Sequence, residues 1–131
     1  RAIAGPFSQL DLAPTILDLL GARPLDACHG RSLRPFPRGE ADDGTPGFVE
    51  RGDPLGPNCR RMVRTRDWKL ILAGNANHQL FHLAEDPGET RNLYEVAEHA
   101  AILAELRSLL KTHMERIGDP ALQGRLKPYL V

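Results

Sequence analysis

The sequence is poor in the features that commit a chain early to one class. Only two of its 131 residues are cysteine. Cys28 and Cys59 are no disulfide framework, so pairing, free thiols and the compartment all stay open. No charge of one sign prevails: 17 Lys and Arg residues face 17 Asp and Glu. That balance gives no field to draw nucleic acid or a membrane surface, and neither partner is expected. No apolar run approaches the roughly 20 residues of a membrane span, and no stretch has the layout of a signal peptide. Internal repeats and low-complexity tracts are missing too. The chain opens on Arg1 rather than Met, so a processed product or a piece of a longer chain is expected. Its length suits one domain with one core and is short for an enzyme with a deep pocket.

What is present changes character along the chain. Ser8 to Gly21 reads as a helix over about 9–20. Ser8 or Asp11 is placed to cap it, Gly21 to end it, and Leu12, Ile16, Leu19 and Leu20 fall on one face. Pro14 fits only near the first turn. From Ala22 to Asn58 periodicity is lost, and the 11 prolines and 12 glycines of the chain are dense there. A loop-rich stretch this long makes sense laid across another body. One brief strand, 47–51, interrupts it.

Regular structure returns as strands near 61–65 and 68–72, joined by a tight turn at Asp67. Met62, Arg64, Trp68, Leu70 and Leu72 sit at alternating positions, with the register open. A further strand, 79–83, runs into Asp86-Pro87-Gly88-Glu89-Thr90-Arg91-Asn92-Leu93. Pro87 ends the strand, Gly88 is expected to take positive φ, and Asn92 to cap the turn that follows. Val96, Ala100, Leu103, Leu106, Leu110, Met114 and Ile117 then recur at helical spacing, and Gly118 with Asp119-Pro120 stops them. The expected fold is α+β: a small antiparallel sheet of about four strands packed against one long C-terminal helix (about 96–117), preceded by a short helix and a loop-rich segment.

Taken in order, three blocks resemble the C-terminal part of the sulfatase family, the arylsulfatase-like branch of the alkaline phosphatase superfamily. They are Ser8 to Gly21 with Gly30-Arg31-Ser32-Leu33, then Met62-Val63-Arg64-Thr65-Arg66-Asp67-Trp68-Lys69-Leu70-Ile71, then Gln79-Leu80-Phe81-His82-Leu83 with the Asp86–Leu93 corner and the final helix. The resemblance implies that residues 1–35 are the tail of a large catalytic α/β domain and 36–131 a small subdomain. It implies an N-terminal sulfatase catalytic domain as partner, with the oligomeric state open. In the family the chemistry needs formylglycine, made from a cysteine or serine in a C/S-x-P-x-R setting, and a divalent cation, expected to be calcium.

This chain carries neither part. Cys28 is followed by His29-Gly30-Arg31-Ser32 and Cys59 by Arg60-Arg61-Met62-Val63, and no serine fits the pattern. No cofactor, no metal ligand and no catalytic residue is therefore expected in it, and alone it should be inactive. Cys28, His29, Cys59, His78 and His82 invite a zinc reading, but their spacing matches no compact ligand pattern. Ser8, Ser32 and Ser108 lack a nucleophile elbow, and Asp42-Asp43 reads as a solvated turn. Arg60, Arg61, Arg64 and Arg66 are the notable cluster, since a guanidinium fork suits sulfate or carboxylate oxygens, although an ion-paired edge is the ordinary explanation. The family's cleft rim is the place to look, which singles out Arg51, Asp53, Arg61 and Arg64 as substrate-binding candidates. The expected role is a C-terminal fragment of a sulfuric ester hydrolase that packs against the catalytic domain and shapes its cleft. The alternatives are a stand-alone binding module, or a fragment of a related phosphonate or phosphate monoester hydrolase.

Overall fold

The computed structural model describes residues 6–34 and 44–130. Its chain divides into two units, Arg1–Gly47 and Phe48–Val131. Asp42-Asp43 and the Pro35-Phe36-Pro37 turn lie outside the described residues.

In the first unit Ser8 and Asp11 form a capping box around a short 3-10 turn, Gln9–Asp11, which leads into α1, Leu12–Leu19. Pro14 is tolerated because the first-turn N–H groups of a helix have no intrahelical partner anyway. Gly21, at φ 64°, ends the helix, with Ala22 N–H on the Leu17 carbonyl and Gly21 N–H on that of Asp18, a left-handed cap that satisfies two orphan carbonyls. Asp11, Thr15 and Asp18 share one face, and the Gly30–Arg34 segment is bonded along it. Asp11 accepts from Arg31 N–H and Thr15 Oγ1 from Leu33 N–H, each at 2.9 Å, while Asp18 accepts from Ser32 and Arg34. The Ser32 hydroxyl, then Arg34, hold the Asp18 carboxyl below its ordinary value. Gly30 is required here, because a Cβ would come 1.9 Å from the Leu10 carbonyl oxygen. The polar face of α1 is thus occupied from within, whereas Leu12, Ile16, Leu19 and Leu20 are all more than half exposed.

The second unit is a four-stranded sheet in the order β1 (Gly47–Arg51), β2 (Arg60–Arg64), β3 (Trp68–Ala73), β4 (Gln79–His82). The β2–β3 and β3–β4 pairs are antiparallel. Helix α2, Ala100–Ile117, is led in by a 3-10 turn at Ala97–His99. Its Leu106, Leu110 and Met114, four apart, meet Val63, Leu70, Leu72 and Leu80 of the sheet, which is the single stripe expected of a helix covering a sheet. Thr65 leaves the ladder because it closes the hairpin, exchanging bonds with the backbone of Trp68. Both cysteines are free thiols.

The register, open in the sequence, places Val63 opposite Leu70 and Arg61 opposite Leu72, so Arg61 and Val63 form the core face of β2. One detail differs from the sequence reading. In the corner it is Glu89, at φ 54°, and not Gly88, that turns left-handed. The Asp86 carboxylate accepts from Thr90 and Arg91 N–H at 2.8 Å and so fixes the turn around Glu89.

Candidate functional site

The four candidate residues do not form one site. Arg51 and Asp53 lie at the end of β1 and in the loop that follows. Arg61 is at the neighbouring end of β2, its Nη1 donating to the Arg51 carbonyl at 3.3 Å. Arg64 lies three residues further along β2, about 10 Å at the rise of a strand. Arg51, Asp53 and Arg64 are exposed, while Arg61 is only 3% exposed.

Burial of Arg61 is possible because Asp119, at the start of the segment after α2, meets its fork with both oxygens. Nη2 to Oδ1 is 2.9 Å and Nε bonds Oδ2. Burial alone would raise the Asp119 carboxyl, but the Arg61 bonds and the Ala121 N–H outweigh it and leave it below its ordinary value. The same pairing holds Arg61 above its own. Arg61 therefore has no free donor face for a substrate, and its role is to anchor the β1–β2 loop. Gly52 at φ 79° starts that loop, where a Cβ would be 2.3 Å from the Asn58 carbonyl oxygen. Asp53 then accepts from Leu55 N–H at 3.1 Å. Below the loop, burial pushes the Cys59 thiol up, which makes it a poor nucleophile.

A second feature lies at the edge of β4. Asn92 accepts from Leu80 N–H at 2.9 Å and donates to the His78 carbonyl at 3.0 Å, while Leu93 N–H donates to the Leu80 carbonyl at 2.8 Å. One side chain and one amide thus stand in for a fifth strand and close an edge that would otherwise pair freely. Beside it is a cleft of about 420 Å³ lined by Ala76, Asn77, His78, Asn92, Tyr94, Glu95 and Tyr129. His78 Nδ1 accepts from Ala73 N–H at 3.1 Å, and Nε2 is buried without a hydrogen-bond partner. Burial, then Arg107 and Arg60, hold its pKa below the ordinary value, so the ring is neutral with its proton on Nε2.

Among the described residues no three His, Cys, Asp or Glu side chains are placed to hold an ion. Of the residues that invited a zinc reading, Cys28 and His29 belong to the first unit and Cys59, His78 and His82 to the second. His82 is stacked on Trp68 with ring centroids 4.2 Å apart, and its Nδ1 lies 3.1 Å from Glu85. Sequence reading missed Asp119 as a partner for Arg61. The signal exists only once the register is known, when an arginine two residues from Val63 on the core face needs a buried acid. It also missed the His78 cleft, whose walls come from three separate segments, and the covering segment after α2 that brings Ala121, Leu126 and Leu130 into the core.

Residues 4–116 match the family model described as N-sulphoglucosamine sulphohydrolase, C-terminal. The chain belongs to the sulfatase family, as its C-terminal region. Among sulfatases, the Delta 4,5-hexuronate-2-O-sulfatase of Bacteroides thetaiotaomicron is 36% identical over 118 residues, which cover 84% of this chain and 24% of that enzyme. An arylsulfatase of Chlamydomonas reinhardtii is 33% identical, over 78% of this chain and 20% of its own length. A structure solved with its substrate D-glucosamine-2-N,6-O-disulfate superposes with a TM-score of 0.72 at 26% identity, covering 84% of this chain and 24% of that one. A phosphonate monoester hydrolase of Agrobacterium radiobacter shares the fold, with a TM-score of 0.62 at 24% identity. The chain thus spans about a quarter of the length of these sulfatases.

Proposed function

We propose that this chain is the C-terminal portion of a sulfuric ester hydrolase, docked on a catalytic domain that supplies formylglycine and the divalent cation, and that it shapes the mouth of the substrate cleft. The observation that carries the reading is the inverted pairing of α1. Its polar face is already bonded to Gly30–Arg34, while Leu12, Ile16, Leu19 and Leu20 stand exposed. A helix arranged this way needs a second body for its apolar side, and sulfatases about four times the length of this chain offer one. At the rim, Arg51 at the end of β1 and Arg64 at the far end of β2 are the exposed cations that would meet an anionic substrate, and Asp53 on the anchored β1–β2 loop would accept from a sugar hydroxyl. Arg61 works through the loop rather than by contact.

The test is made in the complete enzyme, with Arg51→Ala and Arg64→Ala assayed against a panel of sulfated saccharides. Loss of one charge-assisted contact should raise KM about tenfold, or change the preferred substrate, with kcat nearly kept. Unchanged KM and unchanged preference in both variants would overturn the rim role. The phosphonate reading is separated by substrate: turnover of phosphonate monoesters without sulfate esters would replace the sulfatase assignment.

A further inference from the structure

β1 stands at the edge of the sheet with β2 as its neighbour, and its last three residues are exposed. A strand held from one side needs a second tether before a side chain on it can stand in a fixed place. His113 of α2 supplies one. Its ring lies flat on Phe48, with centroids 3.9 Å apart and planes 4° from parallel, and its Nε2 is 2.9 Å from Glu50 Oε1. Phe48 and Glu50 are two residues apart and share one face of β1, so both contacts act on the same side of the strand. Alternation then turns Arg51, the next residue, to the opposite face, where it is exposed.

The hydrogen bonds also fix the ring's tautomer. Arg116 Nη2 lies 3.1 Å from His113 Nδ1, and a guanidinium can only donate. Nδ1 is therefore the acceptor, and the proton stands on Nε2, where the Glu50 carboxylate accepts it. Arg51 is thus tied at two points: its own carbonyl accepts from Arg61, and the residue before it is held by His113. We propose that His113 is a positioning residue for the rim. Through Glu50 and Phe48 it holds β1 on α2, and so sets where the Arg51 guanidinium meets the anionic group of the substrate. The proposal rests on the reading of Arg51 given under the proposed function. His113 itself touches no substrate, and Arg116 works through it by keeping the proton on Nε2. Loss of the clasp leaves the reacting groups of the catalytic domain alone and blurs the placement of one cation, so binding falls and turnover does not.

The test is a cycle in the complete enzyme, with Arg51→Ala, His113→Phe and the double variant assayed on the sulfated saccharide that it turns over best. His113→Phe keeps a ring to stack on Phe48 and removes both hydrogen bonds. It should raise KM about three- to fivefold with kcat kept, against about tenfold for Arg51→Ala. In the Arg51→Ala background it should add nothing to KM. His113→Gln, whose amide can still donate to Glu50, should recover part of the loss. Glu50→Ala should reproduce the loss from the strand side, which keeps the proposal open to test should His113→Phe fail to fold. A lower melting temperature with KM unchanged marks a purely structural clasp and overturns the proposal. KM losses that add in the double variant overturn it too, because His113 would then act on binding without Arg51. If Arg51→Ala changes neither KM nor substrate preference, the rim reading falls and the positioning role falls with it. If Arg51→Ala raises KM while His113→Phe and Glu50→Ala do not, the rim stands and the positioning role alone is overturned.

Discussion

At the scale of single residues, the Arg61–Asp119 pair governs both the fold and the proposed rim. Each side chain is almost fully buried, and each is tolerable only beside the other. Removing one leaves an uncompensated buried charge, which costs about 3–5 kcal/mol. Asp119→Asn is therefore expected to lower the denaturant midpoint by that equivalent, while Arg61→Met with Asp119→Ala should cost less than the sum of the single changes. Urea unfolding of the four-member cycle measures it, and additive losses would show that the pair is not coupled. The acid limb follows from the same contact. Because Asp119 is held below its ordinary value of 3.8, the native state keeps it ionised and binds fewer protons there than the unfolded chain. Its contribution is complete above that value and is lost as pH falls from 3.8 through the lowered one. Arg61 was visible in the sequence as one of four clustered arginines, but nothing local distinguished it from Arg64. Strand register, set by the hairpin at Thr65 and Trp68, sends one inward and the other to solvent.

At the scale of elements, the corner between β4 and α2 does more than turn the chain. Its Asp-Pro-Gly sequence announced a turn, and the periodicity from Val96 onward announced the helix. The use of Asn92 as a substitute strand was not legible, because it depends on where residues 78 and 80 lie once β4 is paired. Likewise the left-handed residue is Glu89, since the Asp86 carboxylate gathers the amides of Thr90 and Arg91 and so dictates the backbone before them. Its side chain is in turn held by Lys69 of β3 at 2.6 Å. Asn92→Ala should cost about 1–3 kcal/mol, because the Leu80 amide loses its acceptor at a partly buried edge. Hydrogen exchange is the appropriate readout. The Leu80 amide should lose protection while the β2–β3 ladder keeps it, and Asn92→Asp, which preserves the acceptor but turns an oxygen toward the His78 carbonyl, should recover only part. Uniform loss of protection across the sheet would contradict a local edge-closing role.

At the scale of the molecule, the two units are built on opposite plans. The second has its apolar residues inside: Leu106, Leu110 and Met114 of α2 meet the sheet, with Leu126 and Leu130 closing the core. The first pairs Asp11, Thr15 and Asp18 within itself and leaves the apolar stripe of α1 out, Leu19 at 64% and Leu20 at 74% exposed. The periodicity of α1 and an apolar docking face around Ile16, Leu19 and Leu20 were legible in the sequence, but the partner of the opposite face was not, because a polar stripe of Asp11, Thr15 and Asp18 ordinarily faces water. It faces the Gly30–Arg34 segment instead, which only the close approach at Gly30 permits. If the exposed stripe docks on a catalytic domain, each leucine buried there is worth about 1.5–3 kcal/mol. Leu19→Glu with Leu20→Glu should then act in opposite senses in two settings. In the 131-residue chain it should reduce self-association and binding of an apolar dye, with the second unit unperturbed. In the complete enzyme it should lower the melting temperature and the yield of active protein. An unchanged melting temperature in the complete enzyme would mean that the stripe stays in solvent there, and the docking surface would have to be sought elsewhere on the chain.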